Sequence, residues 1–295
     1  MPADSGAQPG DSSLRSSAQT AANLPPDELP EDNIIGIRSK CPHFRILIIG
    51  RANAGKTTIL KRVCDSVKEP EIYDVNGKKV YPTTLRGEHN IENQMIFKSN
   101  PGFIFHDSRG FESGTVEETE RVKNFIKTRA ASSTLAEQLH AIWYCLPMAD
   151  TTRPFLKADE DFFDLEGVGN VPVIAIFTKC DGLLTEVCGN LMADHQGMDP
   201  SELNTKGKEK VEEVLTNRFK ELQKHHFGPA AHVYTQGDNV HSDEGYAECA
   251  KKLVQVTAGA ITSEALQLLF VSVQCNNLDL CTFYAIKRFA LTTAY

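Results

Sequence analysis

The chain has 295 residues, 41% hydrophobic and 24% charged, with a formal net charge of −8. That is enough apolar material for a full core in one large domain or one domain with extensions, and an acidic balance without a dense Lys/Arg run argues against nucleic acid as the main partner. The longest apolar runs, Val171 to Phe177 and Leu266 to Val273, fall far short of the roughly 18 residues a membrane-spanning helix needs.

Met1 to Asp11 carries acidic, Pro and Gly residues where a secretory signal has a basic start and an apolar core. Eight cysteines, at 41, 64, 145, 180, 188, 249, 275 and 281, include no Cys-x-x-Cys pair, and several fall within apolar runs. Reduced thiols in a cytoplasmic protein are expected.

Residues 1 to about 40 are rich in Ser, Ala, Pro, Asp and Glu, and read as a disordered acidic leader. The apolar run Arg45-Ile46-Leu47-Ile48-Ile49 then reads as a buried strand. It leads into Gly50-Arg51-Ala52-Asn53-Ala54-Gly55-Lys56-Thr57, which satisfies G-x-x-x-x-G-K-[ST]. Ile59, Leu60, Val63, Cys64 and Val67 follow at helical spacing, so strand, loop and helix stand in the order a phosphate-binding loop requires.

The residue types explain the chemistry. Gly50 and Gly55 let the backbone bend so that successive N–H groups face a polyphosphate, aided by the positive end of the helix. Arg51 to Thr58 are the candidate phosphate contacts. Lys56 reaches the β- and γ-phosphates as a point charge, and the Thr57 hydroxyl is a candidate ligand for a bridging Mg²⁺.

Lys68 to His89 contains Pro70, Asn76-Gly77, Pro82 and Gly87, and reads as a long loop with a short hairpin around Asn76-Gly77. Long loops in compact domains are usually functional. Thr84, or its neighbour Thr83, can close over Mg²⁺ and the γ-phosphate and release after hydrolysis.

Strands are expected at Ile91 to Lys98 and Phe103 to His106, the second running into Asp107-Ser108-Arg109-Gly110. A carboxylate at the C-terminal end of an apolar strand lies where a Mg²⁺-associated acid belongs in an open α/β sheet. Gly110 lets its N–H approach the γ-phosphate.

Thr115 to Leu139 reads as one long or broken helix, His140 to Leu146 as a central strand with Trp143 in the core, and Phe155 to Leu165 as a helix. The strand Val171 to Phe177 ends in Thr178-Lys179-Cys180-Asp181. Asp181 can accept hydrogen bonds from N1–H and N2–H₂ of guanine, a pair adenine lacks, while Lys179 lays its stem along the base.

Residues 183 to about 236 form a helical insertion. It contains a helix beginning at Asp199-Pro200 with an apolar stripe of Val211, Val214, Leu215, Phe219 and Leu222 that favours packing on the body. His232 to Gln236 reads as a short extra strand, and Asp243 to about Ala265 as a helix. A last strand is expected at Leu266 to Val273, with Ser272-Val273-Gln274 as a loop near the guanine carbonyl. A helix from Leu278 closes the chain.

The ordered set Gly50 to Thr57, Thr83/Thr84, Asp107 to Gly110, Thr178 to Asp181 and Ser272 to Gln274 resembles the five motifs of the Ras-like G domain, over roughly residues 43 to 291. The loop resembles that of the translation-factor-related GTPases, Era/MnmE-like and septin-like, and the chain is similar to fungal G-domain proteins of that type. The resemblance implies an α/β, three-layer P-loop NTPase fold, with a mostly parallel six-stranded sheet, one antiparallel strand at Ile91 to Lys98, and helices on both faces. It also implies GTP and GDP as ligands, and Mg²⁺ held by Thr57 and Thr84, with Asp107 acting through water. A GTP-dependent homodimer or a protein effector are the partners it admits.

Two residues depart from the pattern. Thr178 stands where the commonest form has Asn, removing an amide contact. Phe111 follows Asp-x-x-Gly where Ras-like members place the Gln that orients the attacking water, so slow hydrolysis is expected. By the same resemblance Asn53 suggests K⁺ as a charge beside the phosphates, against a plain loop-stabilising role. Arg86, Arg109 and Arg153 are weaker alternatives. Lys56, Thr84, Gly110 and Asn53 are thus the candidate catalytic groups. The other reading is a nucleotide-binding scaffold or dimerisation module with little turnover.

Overall fold

The computed structural model describes residues 34–81, 90–108, 116–149, 155–166, 169–194, 197–235, 243–274 and 281–286, except for the side chains at 116, 243 and 244. The strands are β1 (Phe44–Gly50), β2 (Glu71–Tyr73), β3 (Lys79–Val80), β4 (Gln94–Phe97), β5 (Asn100–Asp107), β6 (Ala141–Pro147), β7 (Val173–Thr178) and β8 (Ala231–Tyr234). The principal helices are α1 (Ile34–Lys40), α2 (Lys56–Val63), α3 (Val116–Ala130), α4 (Lys157–Phe163), α5 (Cys180–Asp194), α6 (Pro200–Leu222), α7 (Asp243–Ala260) and α8 (Glu264–Ser272).

All of β1 is buried, which is why it reads as a continuous run of Ile and Leu, as a strand covered on both faces must. Successive residues still point to opposite sides. Phe44, Ile46 and Ile48 enter a core with α1, α2, α7 and α8, while Leu47 and Ile49 enter a second core with α3, α4, α5 and α6. The result is a three-layer sandwich with the sheet in the middle.

The strand order is β3-β2-β4-β5-β1-β6-β7-β8. β5, β1, β6, β7 and β8 are mutually parallel, and β4, β2 and β3 extend the sheet through antiparallel pairs. The chain leaves β1 toward β5 on one side and β6 on the other, so the C-terminal end of β1 opens at a topological switch point, where open α/β sheets bind ligands.

The sheet thus has eight strands rather than the expected six, and more than one antiparallel member. The Asn76-Gly77 hairpin joins it as β2 and β3, with Gly77 at φ 74° closing the turn. Residues 231–234 form a full parallel partner of β7.

Leu266 to Val273 is not a strand. It lies almost wholly in α8, whose N-cap Ser263 accepts from the Leu266 amide. Leu269 and Phe270 are fully buried, each contributing roughly 2 kcal/mol.

The expected leader also ends early, because Ile34–Lys40 is helical. Ile37 is buried, and Arg38 donates to the Ser272 carbonyl at 3.0 Å. Residues 1–33 lie outside the described residues.

Within 183–236 the apolar stripe of α6 faces the body, with Val211, Leu215 and Leu222 buried in the second core. Asp199 caps α6 by accepting from the Ser201 amide at 2.9 Å. Gly207 marks the crossing of α6 over α5, where a Cβ would meet the Cys188 sulfur at 2.6 Å. Trp143 is core, donating to Thr257 Oγ1 at 3.1 Å.

Candidate nucleotide site

The phosphate loop joins β1 to α2. Gly50 has φ 148°, and a Cβ there would meet the Cys145 carbonyl oxygen at 2.6 Å. Gly55, at φ 83°, is the N-cap of α2. Asn53 is left-handed at φ 58°, a conformation Asn tolerates better than most residues. The first amides of α2 have no partners within the helix, and with the helix dipole they form an anion-binding end.

Lys56 Nζ donates to the Gly50 and Arg51 carbonyls at 2.7 and 3.0 Å and lies 3.9 Å from Asp107 Oδ1. The lysine therefore spans the loop while facing the acid at the end of β5. Ala52, Asn53, Thr57 and Thr58 are exposed, and Ala54 is buried. The Thr57 hydroxyl and the Asp107 carboxylate are hard oxygen donors of the kind Mg²⁺ takes. Asp107 is brought to the loop by β5 with its side chain 28% exposed, so these residues fit the ion.

The expected base motif is tied directly to the loop. Thr178, at the buried end of β7, donates its hydroxyl to the Ala54 carbonyl at 2.9 Å. The expected loss of an amide contact is thus partly made good by the hydroxyl. Lys179 adopts φ 56° and turns the chain into α5, placing Asp181 half-exposed in its first turn.

Three side chains at the site were not singled out from the sequence. Tyr246 of α7 brings its hydroxyl within 3.5 Å of where a Cβ on Gly55 would lie. Burial and the Asp181 charge hold this phenol above its ordinary pKa.

Behind the loop, Arg51 Nη2 donates to Asp159 Oδ2 at 2.8 Å, while Tyr144 Oη donates to Asp159 Oδ1 at 2.8 Å. Burial first, then the Asp159 charge, pushes the Tyr144 phenol well above its ordinary pKa, so it stays a donor. Asp159 is one acid among several near it in sequence, and only the fold separates it from the others.

The structure brings together residues 51–58, Asp107 and Thr178 to Asp181. It does not bring Ser272, Val273 and Gln274 to them. Gly102, near the start of β5, is so close to Val273 that a Cβ would stand 2.7 Å from the valine Cβ. Asp107 ends the same strand, and the five steps from Gly102 at roughly 3.3 Å each put the two about 17 Å apart. The expected guanine-contact loop therefore lies at the opposite end of the sheet, because the segment is a helix.

Thr83, Thr84, Arg86, Arg109, Gly110, Phe111 and Arg153 lie outside the described residues. Among the described residues, no helix is long and apolar enough to cross a membrane.

A phosphate loop at the switch point of a three-layer α/β sheet, with an acid at the end of the neighbouring strand, defines a P-loop nucleotide-binding protein. Residues 45–179 match the family described as 50S ribosome-binding GTPase, from the start of β1 to two residues before Asp181. The chain carries a P-loop G domain, and its nucleotide is a guanine nucleotide. No curated protein matches the chain closely enough to count as a relative.

Proposed function

We propose that this chain is a Mg²⁺-dependent guanine-nucleotide switch that hydrolyses GTP slowly to GDP and phosphate, with water as the nucleophile. The observation that carries the reading is the hydrogen bond from Thr178 to Ala54, which links the base-reading motif to the phosphate loop. Lys56 and the loop amides bind and orient the phosphates. Asp181 accepts from the guanine edge, and Lys179 supports the base.

Thr57, Thr84 and Asp107 would hold Mg²⁺, which supplies charge neutralisation at the β- and γ-phosphates. Gly110 would sense the γ-phosphate. With Phe111 unable to orient a water, K⁺ beside Asn53 or a partner would supply the missing stabilisation. We place the protein in the cytoplasm, with a GTP-dependent homodimer or a protein effector as its partner.

Multiple-turnover phosphate release in K⁺ and in Na⁺ tests the enzyme reading. Release in K⁺ that drops in Na⁺ supports the cation, whereas no release in either salt leaves a nucleotide-binding scaffold, the alternative that Phe111 keeps open. Asp181→Asn should exchange guanine for xanthine preference. Unchanged guanine binding in that variant would remove Asp181 from the base site.

A further inference from the structure

Arg51 is the second residue of the phosphate loop, yet its guanidinium is engaged behind the loop by Asp159, with side chains only 15% and 2% exposed. The same carboxylate has two more partners. Its Oδ2 accepts from the Leu156 amide at 2.8 Å, fixing the first turn of α4, and its Oδ1 accepts from Tyr144 Oη. Tyr144 lies on β6 directly beside Ile49 of β1. One buried carboxylate therefore gathers the loop, the strand next to it and the helix that follows.

If the loop needed only positive charge, this would be a poor arrangement, because Asp159 brings a negative charge up to a polyphosphate site. A buried ion pair is also a weak stabiliser compared with apolar side chains of the same volume. What this charge-assisted contact does supply is direction, since Arg51 Nη2 meets Oδ2 while Tyr144 and the Leu156 amide fix the carboxylate's two oxygens.

We propose that Asp159 is a positioning residue for the nucleotide site, fixing the start of the phosphate loop through Arg51 with Tyr144 holding the carboxylate in place. The inference rests on the guanine-nucleotide reading above.

The two accounts predict opposite signs for Asp159→Asn. Loss of a negative charge near phosphates tightens GDP and GTP binding if charge alone matters. Loss of a positioning group weakens it.

The test measures fluorescent GDP and GTP dissociation constants and GDP release rates on the full chain, with the thermal midpoint of the nucleotide-free protein alongside. Asp159→Asn is expected to weaken both nucleotides about tenfold and to speed GDP release, and Tyr144→Phe to do the same about threefold. Arg51→Lys keeps the charge but not the reach and planar geometry that bring Nη2 to Asp159, and is expected to follow Asp159→Asn. Should Asp159→Asn fail to fold, Tyr144→Phe and Arg51→Lys decide.

Binding by Asp159→Asn as tight as wild type or tighter, or unchanged release in both other variants, overturns the proposal. Wild-type protein that binds no guanine nucleotide overturns the functional reading itself, and this inference with it.

Discussion

Strand β1 has a buried arginine near one end and a partly buried one just past the other, and the two meet different partners. Arg45, 3% exposed, donates Nη1 to His106 Nε2 at 2.8 Å and Nη2 to the Ala136 carbonyl at 3.0 Å, while its amide donates to His140 Nδ1 at 2.9 Å. Those acceptors are neutral. Arg51, just past the other end, meets the carboxylate of Asp159. Neutral acceptors suffice to bury a cation where only the fold is at stake. A carboxylate, which costs more to desolvate, stands where a loop must hold one shape beside a charged ligand.

The largest effects should come from removing either arginine. Arg45→Met leaves a buried imidazole nitrogen and a carbonyl without their donor, at a cost of about 2 to 4 kcal/mol. Arg51→Met leaves Asp159 without its cation, which costs about 3 to 5 kcal/mol. Denaturant titration should therefore register both. Nucleotide affinity per folded molecule should fall only for Arg51→Met, and an equal fall for Arg45→Met would erase the distinction between the two ends.

The Arg45 end should also fail in acid. Because arginine only donates, His106 accepts at Nε2 and donates Nδ1–H to the Ile91 carbonyl at 2.8 Å. His140 likewise accepts at Nδ1 and donates Nε2–H to the Leu135 carbonyl at 2.9 Å. Burial first, together with the Arg45 charge, pulls these imidazoles down to about 3 and about 4.

Both folded values lie below the unfolded one near 6.5, so the unfolded chain takes up protons first as pH falls. Stability should be intact above about pH 6.5 and decline below it. Each imidazole lowers the folding equilibrium roughly tenfold per pH unit, until its folded value is reached. His106→Gln and His140→Gln should each flatten the dependence of denaturation midpoint on pH between 6.5 and 4. A slope unchanged in both variants would acquit the cluster.

Gly55→Ala acts at the other end and more gently. The new Cβ would find Tyr246 at ordinary contact distance, 3.5 Å, so the cost is the left-handed backbone, about 1 to 2 kcal/mol. Because that strain falls on the amides that start α2, it should appear as weaker nucleotide binding more than as a lower unfolding midpoint in the nucleotide-free protein.

The end nearest the phosphates was the more legible in sequence. Gly50 to Thr57, Asp107 and Thr178 to Asp181 are each marked by residue type and local spacing, and the fold brings them together, since backbone shape and donor chemistry are set within a few residues. Leu266 to Val273 was not legible in the same way. A short run of eight residues with only Gln267 and Ser272 polar gives too little period to read, and the deciding signal was the single cap Ser263 ahead of it.

A strand near His232 was readable, but its place beside β7 depends on Ala231 meeting Ile174 across the sheet, and the role of Asp159 depends on Arg51 and Tyr144. Such pairings are fixed by the fold and leave no mark on the nearby sequence.

Thr178→Val is the smallest change expected to matter. It preserves the shape of a side chain with no exposure to solvent and removes only the donor to Ala54. One neutral hydrogen bond is worth about 1 kcal/mol net, or about a fivefold loss of nucleotide affinity. Thr178→Asn sharpens the test. If the threonine hydroxyl already holds the loop, the longer amide should change affinity by less than about threefold. Much stronger tightening would mean that the hydroxyl leaves part of the tie unmade, so that the loop is held more by Asp159 behind it than by the base motif beside it.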